Sequence, residues 1–212
     1  MSTPKQERAV QTRESILRAA AEVFDEFGFA GASINRILTR AGVTSGAMYH
    51  HFESKEALAR TLMNAQPGTI VPWLESTGLQ HLIDLTLLWS HQLRVDPILR
   101  AGVRLTGEQA TFGIQDSSPY RNWTEIMADC LAVAAEKGEL RPGVEAHAVA
   151  EFVVESCTGM QMVATVVSGR EDLADRVARM WHLLLPGIAV PAAIMQTQVS
   201  ADRLKQLLST QN

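Results

Sequence analysis

The sequence predicts an all-α protein, and three observations carry that prediction. Apolar residues recur at the i, i+3, i+4, i+7 spacing of helices through nearly all of the 212 residues. Residues suited to helix ends, Ser33, Thr44 and Ser54 before periodic runs and Gly42 after one, punctuate that pattern. The one β-branched cluster, Val163 to Val167, lies inside a long helical context, so no strand is expected. The predicted architecture is an N-terminal three-helix domain containing a helix-turn-helix, residues 1–53, followed by a helical C-terminal domain, residues 54–212.

After a polar tail at residues 1–5, the first helix is expected over about 6–27. Its inner face is Ile16, Ala19, Ala20, Val23, Phe24 and Phe27. Ser33 starts a helix of about two turns whose buried side is Ile34, Ile37, Leu38 and Ala41, with Gly42 supplying the left-handed residue that ends it. Thr44 caps the next helix, Ser45 to His51, and Ser54 caps a fourth that runs to about Gln66, where Pro67-Gly68 must break it. Leu79 to Val95 carries Leu82, Leu85, Leu88 and Trp89. Asp96-Pro97 opens a helix through Ile98, Leu99, Val103 and Leu105 to about Gln109. Gly113 to Ser118 reads as a loop, and Pro119 opens a helix to about Lys137 that Gly138 ends. Two long helices come next, 146–167 and 170–185. Pro186-Gly187 and Pro191 are expected to end that section before a short final helix over 200–208.

The stretch from Ser33 to Lys55 organises the rest. Helix, Gly-containing turn, helix is the layout in which the second helix enters the DNA major groove while the first crosses the backbone. The residue types suit that task. Gly46 and Ala47 keep one side slim, while Thr44, Ser45, Tyr49 and His50 reach for base edges and phosphate oxygens. Ser33 and Lys55 open the flanking helices, where amides favour an anion, and Lys55 adds a charge. Double-stranded DNA is the expected partner of Ser33, Thr44, Ser45, Gly46, Tyr49, His50 and Lys55.

The run from Thr12 to Leu62 resembles the DNA-binding domain of TetR-type transcriptional regulators. The match includes Phe27-Gly28-Phe29, the Ser at the start of the second helix, Ala41-Gly42-Val43, the Gly of the third helix, Tyr49, Phe52 and Ser54-Lys55-Glu56. Many relatives carry Lys where Ser45 stands, so their Thr-Lys-Gly reads here Thr44-Ser45-Gly46. A positive phosphate or guanine contact is thereby removed.

The formal charge of −4 argues at first against a nucleic-acid partner. Its distribution softens that objection. Residues 1–66 hold 8 Lys and Arg against 7 Asp and Glu, and residues 67–212 hold 11 against 16, so the acidity lies away from the reading stretch. Phosphate contact then falls to geometry, with Arg8, Arg13, Arg36, Arg40 and Lys55 expected on one side. Cys130 and Cys157 match no metal or disulfide spacing and read as buried free thiols in a reducing cytoplasm. The longest apolar run, Ala146 to Val167, is interrupted by Glu151 and Glu155, so no membrane partner is expected and the localisation is read as cytoplasmic. Six histidines form no ligand spacing, and no phosphate loop or nucleophile elbow occurs. Neither metal, cofactor nor enzymatic activity is expected.

The two long C-terminal helices are apolar on more than one face and must be buried on more than one side. In a chain this size they imply a four-helix bundle with the same helices of a twofold mate, hence a homodimer. Trp89, Leu99, Val103, Phe112, Trp123, Met127, Met160 and Met162 supply a mixture that suits either ordinary core or an apolar pocket. A second resemblance bears on that choice. Residues 96–105, Pro119 to Trp123, Ser156-Cys157-Thr158-Gly159 and Met180-Trp181 look like the γ-butyrolactone autoregulator receptors, a TetR subgroup of antibiotic-producing actinomycetes. The resemblance implies that Trp123 walls a ligand pocket and that Gln66 and Thr158 lie near the ligand. The expected ligand set is Gln66, Trp89, Leu99, Val103, Trp123, Met127, Thr158 and Met162. The function so implied is a dimeric repressor, released from operator DNA by a small apolar signal such as a γ-butyrolactone, butenolide or furan, with a ligand-independent orphan DNA binder as the alternative. A helical carrier or enzyme for apolar molecules would leave the reading motif without a purpose.

Overall fold

The structure, a computed structural model, describes residues 4–70 and 74–209, with the backbone alone at residues 4, 5 and 201. Residues 1–3 of the expected tail and Pro72 of the expected loop lie outside the described residues. The chain forms two compact units, Met1–Thr69 with Asp96–Pro119 and Ile70–Val95 with Tyr120–Asn212. These units reflect packing. They partition the chain differently from the contiguous segments 1–53 and 54–212.

The first unit holds α1 (Pro4–Gly31), α2 (Ile34–Ala41), α3 (Ser45–His51), α4 (Lys55–Ala65) with a 3₁₀ turn at Gln66–Thr69, and a later helix, Pro97–Glu108, with a 3₁₀ turn at Gln109–Phe112. One core joins them: Ile16, Ala20, Val23 and Phe24 of α1, Ile37, Met48, Leu58, Leu62 and Met63, with Ala101 and Leu105 of the later helix. Helix α1 starts at Pro4, two residues earlier than expected, since proline fits a first turn whose amides have no partner. Phe27, expected in the core, is instead 36% exposed, with the Arg36 guanidinium 4.2 Å over its ring. The cause is Gly28, whose φ of 66° and ψ of 179° break the helix within α1. That break delivers Phe29 into the place beside Phe24, with ring centroids 5.9 Å apart and planes 2° from parallel.

The second unit is built from α5 (Gly78–Val95), α7 (Ser118–Glu136, shared at its first residues with the first unit), α8 (Ala146–Ser168), α9 (Leu173–Ile188), α10 (Pro191–Gln196) and α11 (Ala201–Ser209), α6 being the Pro97–Glu108 helix above. Trp181, fully buried, donates its indole N–H to Thr86 Oγ1 at 2.8 Å, which ties α9 to α5. Asp84 is a fully buried carboxylate on α5. Ser76, Gln80 and Arg203 all donate to it.

Three boundaries around α9 and α10 differ from those expected. Helix α9 begins at Leu173 because Arg170, at φ 71°, turns the chain after α8 and bonds its N–H back to the Ala164 carbonyl at 3.0 Å. It then continues through Pro186-Gly187 to Ile188. Pro186 and His182 are both exposed, so water can serve the carbonyl that Pro186 leaves without a donor. Pro191 opens α10 rather than ending a section, as proline at the first helical position can. Among the described residues the one β feature is an isolated bridge between Leu140 and Ala189.

Candidate nucleic-acid interface

Two short helices gain definition from their caps. Ser33 Oγ accepts the Arg36 N–H at 3.3 Å, and Gly42, at φ 66°, closes α2. Thr44 Oγ1 accepts the Ala47 N–H at 3.3 Å, and Phe52 N–H closes α3 on the Met48 carbonyl at 2.9 Å. Ile37 and Met48 are fully buried beneath these helices. Their apolar anchors fix which residues point outward. Thr44, Ser45, Gly46, Tyr49 and His50 are all exposed, Tyr49 to 51%. At Gly46 an added Cβ would meet nothing within 4 Å, so the chain itself has no need of a glycine there.

The cations are more committed to the protein than their number suggests. Lys55 Nζ donates to the Phe29 and Ala32 carbonyls at 2.7 and 2.8 Å and lies 4.2 Å over the Phe29 ring. Two of its three donors are thus spent on holding α4 to the end of α1, where a phosphate contact was expected. Arg13 lies 5.0 Å over the Phe52 ring, and Arg40 pairs with Glu26 at 3.0 Å. Within α4, Glu56 has its carboxyl held below the usual range, first by a hydrogen bond from backbone amide in the first turn and then by Ser54.

The residues expected to meet a ligand fall in both units. In the first, Leu99 is buried, Val103 half-buried, and Gln66 buried with Nε2 donating to the Met63 carbonyl at 2.9 Å and Thr106 Oγ1 at 3.2 Å. Thr106 was not singled out from the sequence. Its four-residue spacing from Gly102 is the available signal, because a Cβ at Gly102 would stand 2.7 Å from the Leu62 carbonyl and 2.8 Å from Gln66 Cγ. Phe112 packs on Phe29, with centroids 3.9 Å apart, and so belongs to the reader's core. In the second unit Trp89, Trp123 and Met127 are buried. Thr158 is half-buried with its hydroxyl on the Val154 carbonyl at 2.8 Å, and Met162 is 61% exposed. A shallow groove of about 310 Å³, lined by Val144, Ala148, Val149, Phe152, Leu184 and Ile188 among others, contains none of the four expected residues nearest it in sequence, Trp123, Met127, Thr158 and Met162.

Residues 16–62 match the bacterial regulatory proteins of the tetR family, and residues 76–191, more than half of the chain, match the tetracyclin repressor-like C-terminal domain. The chain belongs to the TetR family. Members are transcriptional regulators that bind operator DNA as dimers, and they are not enzymes. Among TetR proteins it is 43% identical to the A-factor receptor protein of Streptomyces griseus over 190 residues, which covers 90% of this chain and 68% of that one. The full-length TetR regulator TylP from Streptomyces fradiae superposes with a TM-score of 0.89 at 39% identity, covering 96% of this chain and 98% of that one. A γ-butyrolactone receptor described as ArpA-like gives a TM-score of 0.68 at 29% identity, over 95% of this chain and 97% of that one. In this TetR protein no helix, among the described residues, is long and apolar enough to cross a membrane.

Proposed function

We propose that this TetR-family repressor is released from its operator by a small apolar signal of the γ-butyrolactone, butenolide or furan type. The observation that carries the DNA half is the pair of capped helices with Ile37 and Met48 buried and Thr44, Ser45, Gly46, Tyr49 and His50 exposed together. Ser33 contributes through the first helix start, and Lys55 as a fastening of the reader more than as a phosphate contact. The ligand half is supported by the receptor resemblance of residues 96–105, 119–123 and 156–159 and by the named receptors among its relatives.

Residues 1–53 read DNA in this scheme, and 54–212 bind the signal and dimerise. Phe152, Val163, Val166, Val167 and Leu183 leave large apolar side chains exposed on α8 and α9, the two helices assigned to the twofold bundle. Gln66 and Thr158 would turn their polar groups to the oxygens of the signal. Trp123, with Trp89, Leu99, Val103, Met127 and Met162, would supply the apolar wall. The two readers of a dimer must match half-sites about 34 Å apart, and a differential affinity of about 1–3 kcal/mol per site suffices to unbalance that match. A dimer of this kind works in the cytoplasm.

The test is operator binding by the purified dimer on DNA from just upstream of its own gene, with and without lactone, butenolide and furan compounds. Release by one of them is the expected result, and Trp123→Ala should then bind DNA and lose the response. Tight binding that no compound disturbs would replace this reading with an orphan regulator.

A further inference from the structure

The last turn of α1 is spliced to the rest of that helix by side chains of α6. In an unbroken helix the Phe29 N–H would bond the Asp25 carbonyl, and the φ of 66° and ψ of 179° at Gly28 carry it away. Both halves of the missing bond are filled from α6. Arg104 Nη1 donates to the Asp25 carbonyl at 2.5 Å, and Glu108 Oε2 accepts the Phe29 N–H at 3.1 Å. The two side chains stand one helical turn apart and pair with each other at 2.7 Å, so a single ion pair takes the place of one backbone hydrogen bond. Arg100, a turn earlier, holds the Asp25 carboxylate at 2.6 Å. A Cβ at Gly28 would stand 2.8 Å from Arg104 Nη2 and 3.0 Å from Glu108 Oε2, so the glycine both makes the break and clears the space that the pair fills.

The reader lies directly beyond the splice. The Phe29 and Ala32 carbonyls receive Lys55, and Ser33 opens α2 immediately afterwards. Helix α6 packs with this unit although α5 and most of α7, which flank it in the chain, belong to the other. Helix α6 packs on α4 as well as on α1, and Arg104 and Glu108 are its contact with the break from which the reading helices leave α1. We infer that this pair are positioning residues for operator reading, because it fixes the angle at which α2 and α3 leave α1. The operator clause rests on the repressor reading above.

Three variants of the full-length protein separate a splice from a merely stabilising ion pair. Glu108→Gln keeps an acceptor oxygen for Phe29 N–H and removes the charge, whereas Glu108→Ala removes both. The reversed pair, Arg104→Glu with Glu108→Arg, restores an ion pair and withdraws the acceptor. The wild-type Phe29 amide should exchange with solvent deuterium as slowly as that of Phe24. In Glu108→Ala and in the reversed pair it should exchange about tenfold faster or more, and in Glu108→Gln it should stay near wild type. On a duplex selected by the wild-type dimer from a random-sequence pool, Ala and the reversed pair should bind about tenfold more weakly, and Gln within about threefold. A wild-type Phe29 amide that exchanges at the rate of a free peptide overturns the splice, and so does a reversed pair that binds like wild type. Should Glu108→Ala fail to fold, the wild-type exchange, Glu108→Gln and the reversed pair still decide. A pool that yields no duplex overturns the repressor reading, and the exchange measurements decide the splice by themselves.

Discussion

At the scale of single residues, neighbours in α3 have opposite duties. Met48 is fully buried in the core of the first unit and Tyr49 is half exposed. Met48→Ala should cost about 2–5 kcal/mol, as deletion of a buried side chain generally does, and urea unfolding would measure it. Tyr49→Ala should change stability by no more than about 0.5 kcal/mol while weakening operator binding, which a titration of the same preparation would reveal. A loss of stability equal to that of Met48→Ala would show that the tyrosine also packs. The buried thiols make a second residue-scale prediction. Burial pushes Cys157 up to about 12, and burial with the nearby Asp129 pushes Cys130 up to about 11, against an ordinary value of 9.0. Neither should react with iodoacetamide at pH 8 while the protein is folded, since the thiolate is the nucleophile. The linkage has a definite sign. Above about 9 the unfolded thiol ionises and the folded Cys157 does not, so stability falls as pH rises from about 9 to about 12, by about 1.4 kcal/mol per pH unit. Cys157→Ala should remove that part of the alkaline slope, as unfolding at pH 7 and pH 10.5 would show.

At the scale of elements, α2 depends on its terminal glycine. Gly42 sits at φ 66°, and a Cβ added there meets no atom within 4 Å. Gly42→Ala should therefore cost about 1 kcal/mol through backbone strain alone, seen as a lower thermal midpoint with the reading helices intact. That cap, like Ser33 and Thr44, was legible in the sequence because a cap is a local device: residue type and spacing from the next apolar position suffice to place it. The same locality explains why the all-α class and most helix boundaries could be read directly. Features that depend on distant partners could not. Phe27 fits the inner face by periodicity, and only the conformation of Gly28 shows that Phe29 takes its place. Pro186 reads as a stop unless its exposure is known, and Lys55 reads as a phosphate contact unless the Phe29 and Ala32 carbonyls are seen beneath it. Of the candidate site, the residues proposed to face DNA follow from the layout of two short helices and the chemistry of their side chains. The ligand set drew on resemblance, because aromatic and methionine side chains at helical spacing pack in every core.

At the scale of the molecule, each compact unit is completed by chain far away in sequence. The first needs residues 96–119, and the second needs its last helix. Helix α11 lies beyond residue 191, where the match to the repressor-like C-terminal domain ends, yet it brings Arg203 onto Asp84, a carboxylate with no solvent exposure. Removing one partner of such a pair strands a buried charge. Arg203→Ala should cost about 3 kcal/mol, and the double change with Asp84→Asn should recover a good part of it, as a double-mutant cycle of unfolding free energies would show. The same contact sets a timetable during synthesis. Asp84 leaves the ribosome some 119 residues before the arginine that satisfies it, so the second unit cannot settle until that later stretch has been made. Nascent subunits that have not yet reached this arginine would therefore lack a finished surface on which to pair.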